Sequence, residues 1–476
     1  MAPSVSARSS QNFACLASDG RKNPTPGFRV DCPTGREDGI KSKTGDAWIA
    51  GKRIDDDIGS LWRIHDKLYD LTNFIAKHPG GRFWLETTRG TDITEAFESA
   101  HVNPAVAKML PKFYVREATN KRNSPYTFHE DGFYKTLQRK VWPILKKIGT
   151  GPNLKIRLLM DSYVAIFLAL LVTASLYHSY LAACGAGVVL WMICALSHNF
   201  FHQADNFRMY YFDLSLMASA EWRITHGLSH HLFTNTLYDF EISVLEPAMR
   251  FLPDPHKHIM NKYVSPVACH LVLLFAFFVN GFKRIAAIIM GTHKLVWANA
   301  LPLVECALMM LVSGSVQTGF SLWMAMVFSS SFCFSWIGVV AAHHHPEIYH
   351  AYDTFRSDPD WGLCQLDAVR DKVEVTGSLF LTSISFGDHT LHHLFPTVDA
   401  SKLPHLYPVF LETCKEFNVN FSFLPAKQLV CGMYTQLCSN KPNPEPPRFP
   451  RDQPLLPEVI RNMMEEDKDT KYQKEK

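Results

Sequence analysis

Little in this chain of 476 residues points to nucleic acid, to an oxidising compartment or to a nucleotide cofactor of its own. The formal net charge is only +3, and no basic stripe interleaved with aromatic residues runs along the sequence, so nucleic acid is not an expected partner. The 11 cysteines have no metal-type spacing. Cys184, Cys194, Cys269, Cys306 and Cys333 lie inside apolar runs and read as small hydrophobes, so nothing asks for disulfides. There is no Gly-rich nucleotide-binding turn. The first residues are polar, without an apolar stretch behind a basic start; no cleaved signal peptide is expected, and the first domain should stay in the cytosol. Apolar residues make up 47%, close to a soluble average, so any membrane signal must come from their clustering.

Histidine is the residue that is there in force. Of 22 histidines, 11 fall in four short clusters: His198 and His202 in HNFFH; His226, His230 and His231 in HGLSHH; His343, His344 and His345 in HHH; and His389, His392 and His393 in HTLHH. Imidazole is a common ligand for iron and zinc. Histidines three or four apart share a helix face, where two rings can converge on one ion. Eight to eleven such rings are too many for one ion and suit two. One HxxxH alone is equally a surface pair, and histidines at the ends of membrane helices can be plain polar boundary residues. Four clusters bracketing apolar runs favour metal.

The chain divides by composition. Residues 1–43 are rich in Ser, Gly, Pro, Arg and Lys and read as disordered. Residues 44–116 have the composition of a small folded domain, with short strand-like and helical pieces. Residues 117–155 are basic and form a linker, with a segment that is either amphipathic at a membrane surface or a plain solvated helix. Residues 156–440 hold the histidine clusters and the apolar runs, and residues 441–476, dominated by Pro, Glu, Lys and Arg, read as a disordered or extended tail.

Within the small domain, His78 opens a tight HPGG turn, and Gly80 and Gly81 let the backbone approach something flat. His101 follows a helical stretch, in AFESAH. Two histidines on separate helices can close on opposite faces of a haem and leave no open coordination site. HPGG followed about two dozen residues later by a histidine behind a helical Phe resembles the cytochrome b5 family. The resemblance implies an α+β domain binding haem b through His78 and His101. It makes Phe74, Leu85 and Phe97 pocket lining, a role not separable here from ordinary core packing for Phe74 and Phe97.

Apolar runs follow at about 157–178, 181–200, 264–282, 297–316 and 319–342. If all clusters serve one centre, they lie on one side of the bilayer. The first two runs form a hairpin, so an even number of crossings must separate His231 from His343. Three runs are available, and one must not cross. Lys283 and Arg284 follow 264–282 directly, so the expectation is four spans, an in-plane or re-entrant helix at about 264–290, and both termini cytosolic. Asp205, Asp213, Asp239 and Asp388 are candidate acceptors that would orient imidazoles, each equally a solvated carboxylate.

A zinc hydrolase would need fewer histidines and no electron source. Histidine clusters at span ends plus a haem carrier suggest redox chemistry on a lipid-like substrate held in a dry tunnel. The pattern resembles the membrane fatty acid desaturase and hydroxylase superfamily. His198 and His202 match its first box; His226, His230 and His231 the second; and His389, His392 and His393 the third. A further ligand of that superfamily lies after the fourth span, where the resemblance implies His344 first, then His343, then His345. The fold implied is an all-α polytopic membrane domain behind the haem domain. Asn199, where b5-fused relatives carry Asp, and His389, where they carry Gln, depart from front-end desaturases. With EWRITHGLSHHLFTNTLYD, the whole looks more like a divergent, cytochrome b5-related branch of the superfamily found in insects.

The function so implied is a membrane-bound oxidoreductase. It would use two non-haem Fe ions, O2 and its own haem to desaturate or hydroxylate a fatty acyl lipid or acyl-CoA. Electrons would come from NADH through a separate NADH-cytochrome b5 reductase, at the endoplasmic reticulum membrane. The alternative is a non-catalytic membrane haem protein that carries electrons or organises partners in lipid metabolism.

Overall fold

The computed structural model describes residues 44–447, apart from 256 and 292, and residues 455–474. The disorder expected for residues 1–43 lies outside the described residues.

The small domain is built on a three-stranded antiparallel sheet in the order β1 (Trp62–Ile64), β2 (Lys67–Tyr69), β3 (Tyr114–Glu117). Trp62, Ile64, Tyr69, Leu71, Leu85, Ile93 and Phe97 form its core, with Phe74 packed against them. His78 closes the 3-10 turn Thr72–Lys77, and His101 ends the helix Thr94–Ala100. The helix Gly45–Asp56, capped by Thr44, turns away from this core. Its Trp48 and Ile49 join the apolar core of the following domain, where Trp48 Nε1 donates to Tyr238 O at 3.0 Å.

The basic linker carries an amphipathic helix whose apolar face is covered by protein. In the helix Phe133–Ile148 the apolar residues Phe133, Leu137, Val141 and Leu145 recur every fourth position and are all buried. That stripe packs on the domain that follows: Tyr134 meets Trp361 edge-on at 4.7 Å, and Phe133 meets Phe417 at 5.7 Å. The tail also differs from expectation. Residues Glu458–Lys474 are helical, and Ile460 is buried in the same core with Val459 and Met464 beside it. Charge made the tail look unstructured, but these few apolar residues are enough to dock it.

Among the described residues, four helices are long and apolar enough to cross a membrane: Leu154–Leu176, Tyr180–Phe201, Ser265–Ile289 and Val316–Val340. The apolar helix Trp297–Ser313 is shorter. Asn153, Ser179 and Ser315 stand immediately before three of the apolar runs, and each side chain accepts the third amide of its helix. Length therefore offers 265–289 as a span and 297–313 as the odd one out, the reverse of the roles expected from the sequence. Contacts separate them differently. At one end of the bundle the loops 177–179 and 314–315 meet, His178 Nε2 lying 3.1 Å from Ser313 O. At the other end a helical cap carries the histidines. The start of Ser265–Ile289 is tied to that cap, and the segment past its finish to the helix Gly45–Asp56 docked on the cap. His270 Nε2 lies 3.0 Å from Tyr434 OH near its start, and His293 Nδ1 lies 2.8 Å from Asp46 Oδ2 just past its finish. Ser265–Ile289 thus makes contacts on one side at both ends, as an in-plane or re-entrant helix would. Its outer face exposes Val267, Leu271, Phe275, Phe282, Ile285 and Ile289, an apolar stripe suited to lipid.

Glycosylation mapping tests this arrangement. Spacer-flanked Asn-X-Thr acceptors inserted at His178 and Gly314 are expected to be glycosylated in microsomes, and one at Gly291 is not. Modification at Gly291 would make 265–289 a span.

Candidate functional site

Two sites stand close together. In the small domain the His78 and His101 rings face each other with centroids 6.2 Å apart. His78 Nδ1 is 2.9 Å from Gly81 O and His101 Nδ1 is 2.9 Å from Phe97 O, so each ring donates from Nδ1 and presents Nε2. Metal–imidazole bonds are about 2.0–2.1 Å, so one ion between the two Nε2 atoms accounts for this spacing. Phe74 and Phe97 flank the pair at 6.0 and 4.8 Å, and Leu85 lies in the same core. The pocket fits a bis-histidine haem.

In the cap, nine histidines converge in two groups: His198, His202, His226, His231 and His392; and His230, His343, His389 and His393. All nine are buried. Within the first group His198 Nε2 lies 2.7 Å from His226 Nε2, 3.1 Å from His392 Nε2 and 3.2 Å from His202 Nε2. In the second, His343 Nε2 lies 2.8 Å from His389 Nε2 and 3.2 Å from His230 Nε2. Neutral imidazoles cannot satisfy this packing among themselves, because one N–H serves one neighbour. Neighbouring nitrogens on one ion at about 2.1 Å stand about 3 Å apart, which is the spacing here. Each group therefore fits one ion.

Four of the Nδ1 atoms are anchored outward, which leaves the Nε2 lone pairs of those rings to face inward, while the Nδ1 atoms of His231 and His389 have no hydrogen-bond partner among the described residues. His226 Nδ1 donates to Glu241 Oε2 at 2.8 Å, His230 Nδ1 to Asp239 Oδ2 at 2.9 Å, His343 Nδ1 to Ala368 O at 3.0 Å and His393 Nδ1 to Gln365 Oε1 at 3.1 Å. His393 Nε2 has no hydrogen-bond partner. Burial, reinforced by the neighbouring rings, holds His202, His226, His231, His343, His389 and His393 well below the usual histidine range and His392 down to about 3. They are neutral near pH 7, which is the form that binds metal. At His230 burial also opposes the charge, but the Asp239 carboxylate outweighs it and raises the pKa.

The second box does not work as a plain α-helix. Arg223–His230 is π-helical, and its wider turn holds more than four residues. Residues four and five after His226 then fall on either side of its direction. His231 joins His226 in the first group, while His230 turns to the second.

The HHH run places His343, not His344, in the second group. His344 instead stacks flat on Phe251 with centroids 3.6 Å apart. His345 lies against Gly432. One residue beyond His343 the chain has turned away, so ring direction rather than proximity decides. Of the four carboxylates considered as orienting groups, Asp239 alone meets a ligand-type histidine. Asp205 pairs with Arg223, Asp213 with Ser219, and Asp388 with Tyr407. Glu241, Gln365 and Asp371, which accepts from His389 N, escaped the sequence reading. Glu241 could have been found from its place two residues after Asp239; Gln365 has no local signal. Asn199 donates to Asp399 Oδ2 at 2.7 Å and accepts from Ala400 N at 2.9 Å. An Asp at that position would set two carboxylates against each other, so the amide fits this chain.

The family model for fatty acid desaturases matches residues 133–425, and that for the cytochrome b5-like heme/steroid binding domain matches residues 51–119. The chain is 42% identical to the cytochrome b5-related protein of Drosophila melanogaster over 88% of its own length and 97% of the relative's. It is 52% identical to that of Drosophila virilis over 23% of its length and 76% of the relative's. With the Delta(5) fatty acid desaturase A of Dictyostelium discoideum it shares 23% identity over 76% of this chain and 86% of the other. No solved structure matches.

Metal analysis of variants checks the ligand set. His343→Ala should lose close to half the non-haem metal and His344→Ala none. Asp239→Asn should weaken metal binding about 10–100-fold, as the loss of an orienting partner does elsewhere. Equal losses in the two alanine variants would refute the assignment.

Proposed function

Because the chain belongs to the fatty acid desaturase family and carries a cytochrome b5-like domain ahead of it, we propose that it is a membrane-bound di-iron oxidoreductase that desaturates or hydroxylates a fatty acyl chain with O2. The family and the fused haem-type domain make it a multi-pass, desaturase-like protein; the di-iron centre, the use of O2 and the reaction are the reading proposed. One observation carries it: nine buried histidines from four distant stretches resolve into one group of five and one of four. A bare electron carrier has no use for such convergence. Two iron ions in these groups, given O2 and electrons, would supply an oxidant able to take hydrogen from an unactivated C–H bond.

The chain's own part is holding and drying. Glu241, Asp239, Ala368 O and Gln365 fix ring orientation. A cavity lined by Ala195, Leu196, Phe386 and Leu403 reaches His198 and His392 of the first group and His389 of the second. The cavity is small, about 20 Å³, and is also lined by Asn199, Thr382 and Ser383, so a single methylene reaching it would touch both groups. The donor set contains no thiolate and is dominated by neutral nitrogen, which suits iron. We place the cap and both termini on the cytosolic side of the endoplasmic reticulum membrane, with NADH as distal donor through a cytochrome b5 reductase and a fatty acyl lipid or acyl-CoA as substrate.

Total iron against haem in detergent-purified protein tests the proposal, with zinc measured in the same sample. About three irons per haem and little zinc are expected. One iron per haem after anaerobic iron loading would overturn the di-iron reading.

A further inference from the structure

Both haem-type ligand segments are pressed onto the metal-bearing cap, and they are held differently. On the His101 side the contacts are polar and reach backbone. Gln138 Nε2 donates to Glu98 O at 3.0 Å and His101 O at 3.2 Å, and Thr397 Oγ1 donates to Ala100 O at 3.1 Å. On the His78 side the contact is aromatic. The guanidinium of Arg223, a residue only 2% exposed, lies 4.4 Å from the ring centroids of both Phe83 and Trp84. Asp205 Oδ1 holds it from behind at 2.7 Å.

Two glycines let the surfaces close. A Cβ on Gly81, whose carbonyl anchors His78, would lie 2.2 Å from Asp205 Oδ2. A Cβ on Gly227, the residue after His226, would lie 3.2 Å from Trp84 Cη2 and 3.8 Å from His202 Cε1. The Trp84 ring therefore rests on the backbone between two histidines of the first group. It stands six residues after His78, on the helix Arg82–Thr87 that begins right after the HPGG turn. A buried cation stacked on two rings and backed by a carboxylate makes a rigid clamp, because the guanidinium is planar and stacks where an ammonium would not.

We infer that Arg223 and Trp84 are positioning residues that fix the haem pocket against the metal centre and make the His78 side the route of internal electron transfer. The inference rests on the di-iron reading above. The step served moves one electron: ferrous haem iron becomes ferric, one ferric ion of the cap becomes ferrous, and no bond or proton changes. The ring of Trp84 bridges the gap by contact with the His226–Gly227 turn, and Arg223 keeps it there. Docked in this way, the haem domain passes electrons without swinging on a tether.

Flash photoreduction of the haem in full-length, iron-loaded protein without oxygen isolates this step, because the cap iron is then the internal acceptor. Haem reoxidation in the wild type should be first-order and independent of protein concentration. Trp84→Leu and Arg223→Leu should slow it about tenfold or more, the scale expected when a positioned group is displaced by an ångström. The haem Soret band and the iron content should be unchanged, Trp84→Phe should fall between, and Thr397→Val on the opposite side should keep the wild-type rate. Should Arg223→Leu lose iron, Trp84→Leu decides alone, since it lies outside the ligand set. Wild-type rates in Trp84→Leu, or an equal slowing in Thr397→Val, would overturn the inference. Loss of reoxidation in the wild type itself, with iron loaded, would overturn the reading beneath it and the inference together.

Discussion

Everything in the cap answers to one electrostatic problem: nine imidazole nitrogens aimed at two points. Lone pairs about 3 Å apart repel unless something positive stands between them, and burial keeps these rings, His230 apart, from solving the problem by taking protons. The surrounding fold supplies the restraint. Carboxylates, a backbone carbonyl and an amide grip four of the outer nitrogens, and four stretches of chain, with partners up to 194 residues apart, are locked around the inner ones. Within the first group His198 stands at the end of an apolar helix and His226 in a π-helical turn, so the spans and the cap have to be built together.

That requirement organises the membrane part. The helices Tyr180–Phe201 and Val316–Val340 pack side by side and deliver His198, His202 and His343 from the same end of the bundle. Ser265–Ile289 is long and apolar enough to cross, yet the cap holds its start, and the helix Gly45–Asp56 docked on the cap holds the segment past its finish. Hydropathy measures what a helix can tolerate around it; the ties at its ends decide where it lies.

The haem-type domain is seated as firmly as an internal subdomain. Its first helix contributes Trp48 and Ile49 to the cap core, the helix Phe133–Ile148 bridges the two units, and Arg223 lies between Phe83 and Trp84. The segment that looked like a spacer is therefore part of the joint. Its Arg139, Lys146 and Lys147 are exposed, while Lys135 pairs with Glu98 of the haem-type domain and the apolar stripe packs on the cap.

Residue type and short spacing were enough to single out the haem-type pair, the four histidine clusters and the apolar runs, because those signals live within one turn of helix or one tight loop. The resemblance to two known families rested on the same local motifs. Local pattern could not say how the histidines divide between two points, because that depends on the π-helical turn at Arg223–His230 and on contacts such as His230 to His343, 113 residues apart. Nor could it choose His343 over its neighbour, see Gln365 or Arg223, or dock the linker and the tail. The sequence by itself determined the ligand chemistry and the order of the parts. Tertiary structure alone decided which ring joins which group, since ring direction is set by partners far away along the chain.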